Sequence, residues 1–298
     1  MTRPAISVVV PARNEAATIA STLHSIHETL PPDSEIVVID DGSEDGTAYA
    51  ALAAGARIRL LRSTGGLGVA RARNWGASQA SGDVLAFCDA HVLVRGGTWR
   101  ALVAELRDPF VGAVSPRLIG FDTSGWGYGL TMGSPDMKVD WLPPKGATSE
   151  ATHLCGCFTV IARETFEDVG GFDNGMVCWG WEDVEMSIRL WLLGYDLRVA
   201  VDGEAAHLFR AVSPYRIDPV WALHNQLRLA CVHFSEPRLH TVVARLSSHP
   251  LFGAAFSLCV RNGVWKRRRI LFRHRQRSDD EYFELGDRLS GRSTNGGV

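Results

Sequence analysis

The chain has 298 residues, 46% of them hydrophobic and 21% charged, with a formal net charge of −2. That is enough apolar material for one large or two modest domains, and the near-neutral balance supplies no global field of the kind nucleic-acid binding uses, so no nucleic-acid partner is expected. The apolar run "LFGAAFSLCV" is about half a membrane span, and the six cysteines are scattered as free thiols of a reducing compartment would be.

The N-terminal apolar stretch is too short and too soon interrupted for a secretory signal, so a cytoplasmic location is expected. "ISVVVPA" is a β-branched run that reads as a buried strand. Asn14 and Glu15 open "EAATIASTLHSIHETL", where Ile19, Leu23, Ile26 and Leu30 recur at helical spacing. "EIVVIDDGS" is a second strand ending in two carboxylates, "TAYAALAAG" a helix that Gly55 ends, and "RIRLLRS" a third strand. "GGLGVARARNWGASQASG" is a glycine-rich loop followed by a helix, and "DVLAFCDA" is a fourth strand. Strand and helix alternate, which predicts a parallel sheet with helices on both faces. Ligands bind such sheets beyond the carboxyl ends of the strands. Three of these strands end in "PARNE", "DDGS" and "DAH".

"TWRALVAELRD" is a further helix and "VGAVSPRLIG" a further strand. Residues 121–152 break the pattern with Gly, Ser, Thr, Pro and the aromatics Trp126, Tyr128 and Trp141. A stretch this long without regular structure is functional or disordered, and the aromatics favour an acceptor-binding segment. "HLCGC" (His153, Cys155, Cys157) lacks paired-cysteine spacing and reads as small residues shaping a pocket wall rather than as zinc ligands. In "WGWEDVEMSIRLWLLG", Val184, Ile188, Trp191 and Leu192 form a helical stripe. Glu182 and Asp183 lie in its first turn, where the helix dipole favours negative charge whatever their chemistry. "YDLRVAV" is a strand, "DGEAAHLFR" a loop carrying His207 and Arg210, and "IDPVWALHNQLRLACVHF" a helix. The basic run at 266–277 reads as a solvated helix face, with peripheral contact to an anionic membrane or an acidic partner as the alternative. The final "GRSTNGGV" is expected to be disordered.

The first strand is not followed by the G-x-G-x-x-G of a dinucleotide-binding fold. The near match "GGLGVAR" follows the third strand and has Arg71 where the last glycine belongs, and no P-loop occurs. A carboxylate and a metal can hold a nucleotide instead. Asp41, ending the second strand, is placed to accept from a base N–H or a ribose hydroxyl. Asp89 and His91, two apart in extended chain, point the same way. A carboxylate with an imidazole suits Mn²⁺ better than Mg²⁺, which prefers oxygen shells. His207 is a candidate third ligand, and nearby Arg210 a cation for phosphate; a single histidine is otherwise more often a surface or core residue.

Taken in order, "SVVVPARNEAATI", "VVIDDGS", "GVARARNWGA", "DAH", "GGFD" and "WGWED" resemble a family-2 glycosyltransferase with the GT-A fold, over about residues 5–210. Within that likeness, "DAH", "WGWEDVEMSIRLW" and "AAHLFR" resemble the polypeptide N-acetylgalactosaminyltransferases, whose D-x-H pair and later histidine hold Mn²⁺ beside UDP. The resemblance implies Asp89, His91 and His207 as metal ligands, with Mn²⁺ favoured over Mg²⁺. It implies Asp41 at the uridine, Arg210 at the diphosphate, and Glu15, Arg73 and the backbone near Pro11 around the nucleotide. Trp179 and Glu182 would face the donor sugar. The sequence departs at Asp183, where that subfamily has asparagine. Inverting family-2 enzymes carry a second acid there that resembles a base, so Asp183 with Glu182 is the expected catalytic pair and inversion the expected outcome.

The expectation is thus an α/β protein with a GT-A-type, mostly parallel sheet flanked by helices. A catalytic domain would span 1–210, and a helical C-terminal extension 211–298. Without the membrane anchor and lectin domain of the Golgi enzymes, it would be cytoplasmic or peripheral at the membrane. The donor would be a nucleotide sugar, UDP-linked, and the acceptor a peptide, glycan, lipid-linked sugar or small metabolite. A non-catalytic nucleotide-sugar-binding module fits less well, because the metal and base positions are filled. A sugar nucleotidyltransferase should carry a lysine- and glycine-rich loop where "PARNEAAT" stands.

Overall fold

The computed structural model describes residues 5–55, 57–121, 126–134, 136–143 and 150–292. The first third is the expected alternation: β1 (Ile6–Ala12), α1 (Ile19–Thr29), β2 (Glu35–Asp40), α2 (Thr47–Ala53), β3 (Ile58–Arg62), α3 (Val69–Gln79) and β4 (Val84–Cys88). These strands pair in parallel in the order β3-β2-β1-β4. Successive β1 residues serve opposite faces of the sheet. Val8 and Val10 pack with Ile19, Leu23 and Ile26 of α1, whereas Val9 packs with Ala70, Ala72 and Ala77 of α3. A strand covered on both faces needs the continuous β-branched run that the sequence carries.

Then follow β5 (Val92–Val94), α4 (Thr98–Glu105), β6 (Val111–Gly120), β7 (Trp126–Gly127), β8 (Leu130–Met132), β9 (Val139–Trp141), β10 (Phe158–Ala162), α5 (Arg163–Asp168), α6 (Glu182–Leu192) and β11 (Asp196–His207). Beyond β4 the sheet is mixed. The chain re-enters at the carboxyl end of β4, with Phe158 opposite Cys88, so β10 runs antiparallel to β4 and β6. β11 is parallel to β6 and antiparallel to the edge strand β5. The loop expected from residue 202 is strand as far as His207: a register shift between Ala200 and Glu204 lets β11 resume pairing with β6. An irregularity of this kind re-aims a strand without ending it.

In the 121–152 stretch, β8 and β9 pair antiparallel as a small separate sheet. Residues 122–125 and 144–149 and the side chain of Trp126 lie outside the described residues, as does most of the terminal "GRSTNGGV" at 293–298.

The C-terminal part is helical: α7 (Pro219–His233), α8 (Glu236–Leu246), α9 (Phe252–Arg261), α10 (Val264–His274) and α11 (Asp279–Ser290). Asp218 caps α7 ahead of Pro219, and Ser278 with Glu281 forms a capping box on α11. Leu229, Phe234, Tyr282 and Leu289 from these helices share one core with the α3 side of the sheet. Part of the basic run turns inward. Arg267 pairs with Asp173 and Glu185, Arg268 donates to the Cys231 and Phe234 carbonyls, and Arg277 pairs with Asp196, leaving Lys266, Arg269 and Arg273 exposed. No helix of the described residues is long and apolar enough to cross a membrane.

Candidate metal and nucleotide site

Asp89 and His91 flank a turn between β4 and β5 rather than lying in extended chain. Their convergence with His207 follows from register. His207 pairs with Val92 across β5 and β11, and the Leu208 N–H donates to the His91 carbonyl at 3.1 Å. One ligand atom from each of Asp89, His91 and His207 lies within 4.8 Å of the others. This is the only such His/Cys/Asp/Glu group among the described residues; His153, Cys155 and Cys157 form none, and Cys155, Gly156 and Cys157 instead line a cavity wall, as expected.

The donor set fits a divalent cation. Arg210 grips Glu15 through two hydrogen bonds of 2.7 Å, and Glu15 also meets His91 Nδ1 at 3.1 Å. Burial opposes the charge on Glu15, but hydrogen bonds from His91 and Arg210 prevail and hold its carboxyl down at about 2. An ionised carboxylate can only accept, so His91 presents its Nδ1–H to Glu15 and Nε2 is the nitrogen it can offer a metal. Burial pushes His207 down to about 4, against the pull of Asp89, so it is neutral near pH 7. Its Nδ1 is buried and meets no partner among the described residues. Glu15 and Arg210, expected on the nucleotide, hold each other here.

Arg73 joins this group to α6. Its side chain is 2% exposed, donates to Asp89 Oδ1 at 3.0 Å and to the Gly156 carbonyl at 2.7 Å, and lies 3.4 Å from Glu182 Oε1. Burial and the neighbouring Asp183 push the Glu182 carboxyl up to about 7, with Arg73 opposing. Asp183 is half-buried. Its Oδ2 accepts the Gly156 N–H and its Oδ1 the Val184 N–H, at 2.9 and 2.8 Å. Glu182 and Asp183 both line a cleft of about 670 Å³ together with Trp179, His207 and Arg210.

A smaller inner pocket of about 70 Å³ is lined by Pro11, Asp41, Arg73, Asp89, His91 and Trp179, so all the expected nucleotide-side positions except Arg210 reach it, Glu15 included. Asp41 also braces the glycine-rich loop, accepting the Leu67 and Gly68 N–H groups at 2.6 and 2.9 Å. Among the lining residues that were not anticipated are Arg13 and Tyr215. Arg13 stacks over the Tyr215 ring at 5.1 Å, and both face the pocket. Arg13 lies within "PARNE", where a cation two residues before an acid at a strand end was the available signal. Tyr215 carries no local signal, since it comes from the segment after β11. Trp141 and Phe209, 6.0 Å apart and half-exposed, form an edge-to-face pair.

The pattern of the family described as Glycosyl transferase family 2 matches residues 7–170. The chain belongs to glycosyl transferase family 2. A second family, described as the N-terminal domain of galactosyltransferase, matches residues 141–211 of this family-2 chain. Polypeptide N-acetylgalactosaminyltransferase 11 of Xenopus tropicalis is 30% identical over 266 residues, which is 78% of this chain and 43% of the relative. Polypeptide N-acetylgalactosaminyltransferase 3 of Homo sapiens is 28% identical over 284 residues, 84% of this chain and 45% of the relative. The chain spans less than half the length of these curated relatives. GalNAc-T7, crystallised with UDP, GalNAc and Mn²⁺, superposes with a TM-score of 0.75 at 25% identity, covering 95% of this chain and 56% of that one. The mannosyltransferase PcManGT from Pyrobaculum calidifontis, in complex with GDP-Man and Mn²⁺, shares the fold at a TM-score of 0.57 and 23% identity, over 88% of this chain and 77% of that one. The family-2 chain has the GT-A fold.

Proposed function

We propose that this family-2 protein transfers a sugar, an N-acetylhexosamine, from a UDP-linked donor to an acceptor with the help of a divalent metal, Mn²⁺ favoured. The observation that carries the reading is the meeting of Asp89, His91 and His207 within 4.8 Å at the edge of the inner pocket. A bound cation there supplies Lewis-acid stabilisation of the charge that develops on the leaving diphosphate. Asp89 and the two imidazoles would hold it, and Glu15 keeps the His91 proton on Nδ1. Arg210, three residues beyond the last strand, supplies a charge-assisted contact to phosphate if it leaves Glu15. The relatives are named for N-acetylgalactosamine and polypeptide acceptors, and the half-exposed Trp141, Trp179 and Phe209 give an extended acceptor an apolar rim; this supports a peptide acceptor.

Inversion asks Asp183 to take the acceptor's proton. Both oxygens of that carboxylate already accept an amide hydrogen, which fixes the side chain. The product decides the matter: an inverted linkage and an Asp183→Asn loss on the order of 10²-fold or more keep Asp183 as base. A retained linkage makes it a residue that secures the 155–157 wall.

The deciding experiment is thermal stability with UDP, with and without Mn²⁺. At a hundredfold excess over Kd, binding adds about 2.7 kcal/mol of stability. UDP and Mn²⁺ together should stabilise the wild type more than either alone, and His91→Ala and His207→Ala should each lose the Mn²⁺-dependent part. A shift that survives in both variants refutes the metal assignment.

A further inference from the structure

Helix α7 sends one buried side chain into the segment that borders both the inner pocket and the wider cleft. Asn225 is 1% exposed. Its Oδ1 accepts the Val177 N–H at 2.9 Å, and its Nδ2 donates to the carbonyls of Val177 and Gly180 at 2.8 Å each. A flipped amide would set N–H against N–H and oxygen against two carbonyls, so the partners fix its orientation. The His224 imidazole donates through Nδ1 to the same Oδ1 at 2.9 Å, and Asn262, after α9, reaches His224 Nε2 at 3.3 Å.

The backbone that Asn225 grips is strained. Cys178, Gly180 and Trp181 have φ of 52°, 97° and 71°. For Cys178 and Trp181 these are left-handed conformations that persist only when the surroundings over-determine them. On the far side, the Val69 N–H donates to the Cys178 carbonyl at 2.8 Å, and a Cβ on Gly68 would come within 2.8 Å of the Cys178 backbone. The segment is therefore held between the start of α3 and the middle of α7. It carries Trp179, which borders both cavities, and leads directly into Glu182 and Asp183.

We propose that Asn225 is a positioning residue for sugar transfer. Through the main chain at Val177 and Gly180, it sets where Trp179 and the first turn of α6 stand against the donor sugar. The inference rests on the sugar-transfer reading above. A misplacement on the order of 1 Å far from the reacting atoms can cost about 10²-fold in rate.

The test is steady-state hydrolysis of UDP-GalNAc with Mn²⁺ by the full chain, comparing Asn225→Asp, Asn225→Ala and Leu227→Ala. Asn225→Asp keeps the acceptor for Val177 N–H but turns oxygen toward two carbonyls. Leu227→Ala truncates a core residue on the same helix and serves as the stability control. Both Asn225 variants should lose about 10- to 100-fold in kcat, with the Kd for Mn²⁺ unchanged. Leu227→Ala should lower Tm while keeping wild-type kcat and KM. Wild-type kcat in Asn225→Asp, or an equal kcat loss in Leu227→Ala at a matched drop in Tm, overturns the proposal and leaves the functional reading standing. Absence of turnover by the wild type with every UDP-sugar and peptide overturns both.

Discussion

One of the three metal-capable residues, His91, owes its orientation to a fourth that is not in the group. Glu15 fixes the His91 tautomer and is itself kept ionised by Arg210. Glu15→Gln should weaken Mn²⁺ binding about 10- to 100-fold, read by calorimetric titration in the presence of UDP; unchanged affinity would remove Glu15 from this role. Glu182 sets a pH signature of opposite sign to the buried histidines. Its folded pKa of about 7 lies above the ordinary 4.5. The folded state thus binds more protons between those values, and stability falls as pH rises through them. His207 and His153, pushed down from 6.5 to about 4 and about 3, lose stability in the other direction, as pH falls below 6.5. The Tm of the wild type minus that of Glu182→Gln should therefore fall between about pH 5 and pH 8, and parallel curves would refute the shift. Asp89 and His91 were legible as a pair from their spacing just past the fourth strand, and His207 as a candidate partner beside Arg210, although in a stretch read as loop. The part Glu15 plays was not, since its partners lie 76 and 195 positions away.

At the scale of elements, the alternation of strand and helix over the first ninety residues was readable from side-chain patterning, because β1, β2 and β4 are buried on both faces. The end of β11 was not. Gly203 and Asp202 look like a turn, yet tertiary pairing with β6 and β5 carries the strand on to His207. The glycine-rich loop was recognised as a loop, but the need for Gly68 shows only against its neighbour: φ is 84° and the Cys178 backbone stands where a Cβ would go. Gly68→Ala should cost about 2 kcal/mol or more in chemical denaturation. Gly65→Ala, with open space around it, should be near neutral. Equal effects would argue against the close approach.

Across the whole molecule, the stripe on α6 was visible, but only as one apolar face. The structure buries nearly the entire helix, Glu185 and Arg189 included, because the C-terminal helices cover the other side. Glu185 meets His233 and Arg267, and Asp173 meets Arg228 and Arg267, so residues remote in sequence share one ionic network. Its partners were unreadable in advance, since each charge alone looks like an ordinary surface residue. Removing one member leaves a buried charge short of a partner, which costs about 3–5 kcal/mol. Arg228→Met should show that loss in denaturant melts. Truncation after residue 210 should yield aggregated protein, since it strips Leu229, Phe234 and Tyr282 from the shared core; a soluble, cooperatively melting fragment would show that the sheet stands alone.

Arg73 donates to Oδ1 of Asp89, so Oδ2 is the freer oxygen of that carboxylate. On the proposed reading, two imidazoles and a carboxylate would leave positions open on a bound cation that the oxygens of a diphosphate could fill. Cation and nucleotide would then bind as linked ligands. By thermodynamic reciprocity, the factor by which UDP tightens Mn²⁺ equals the factor by which Mn²⁺ tightens UDP. On the proposed reading, a carboxylate shared with one buried arginine would leave the metal weakly held until the donor arrives.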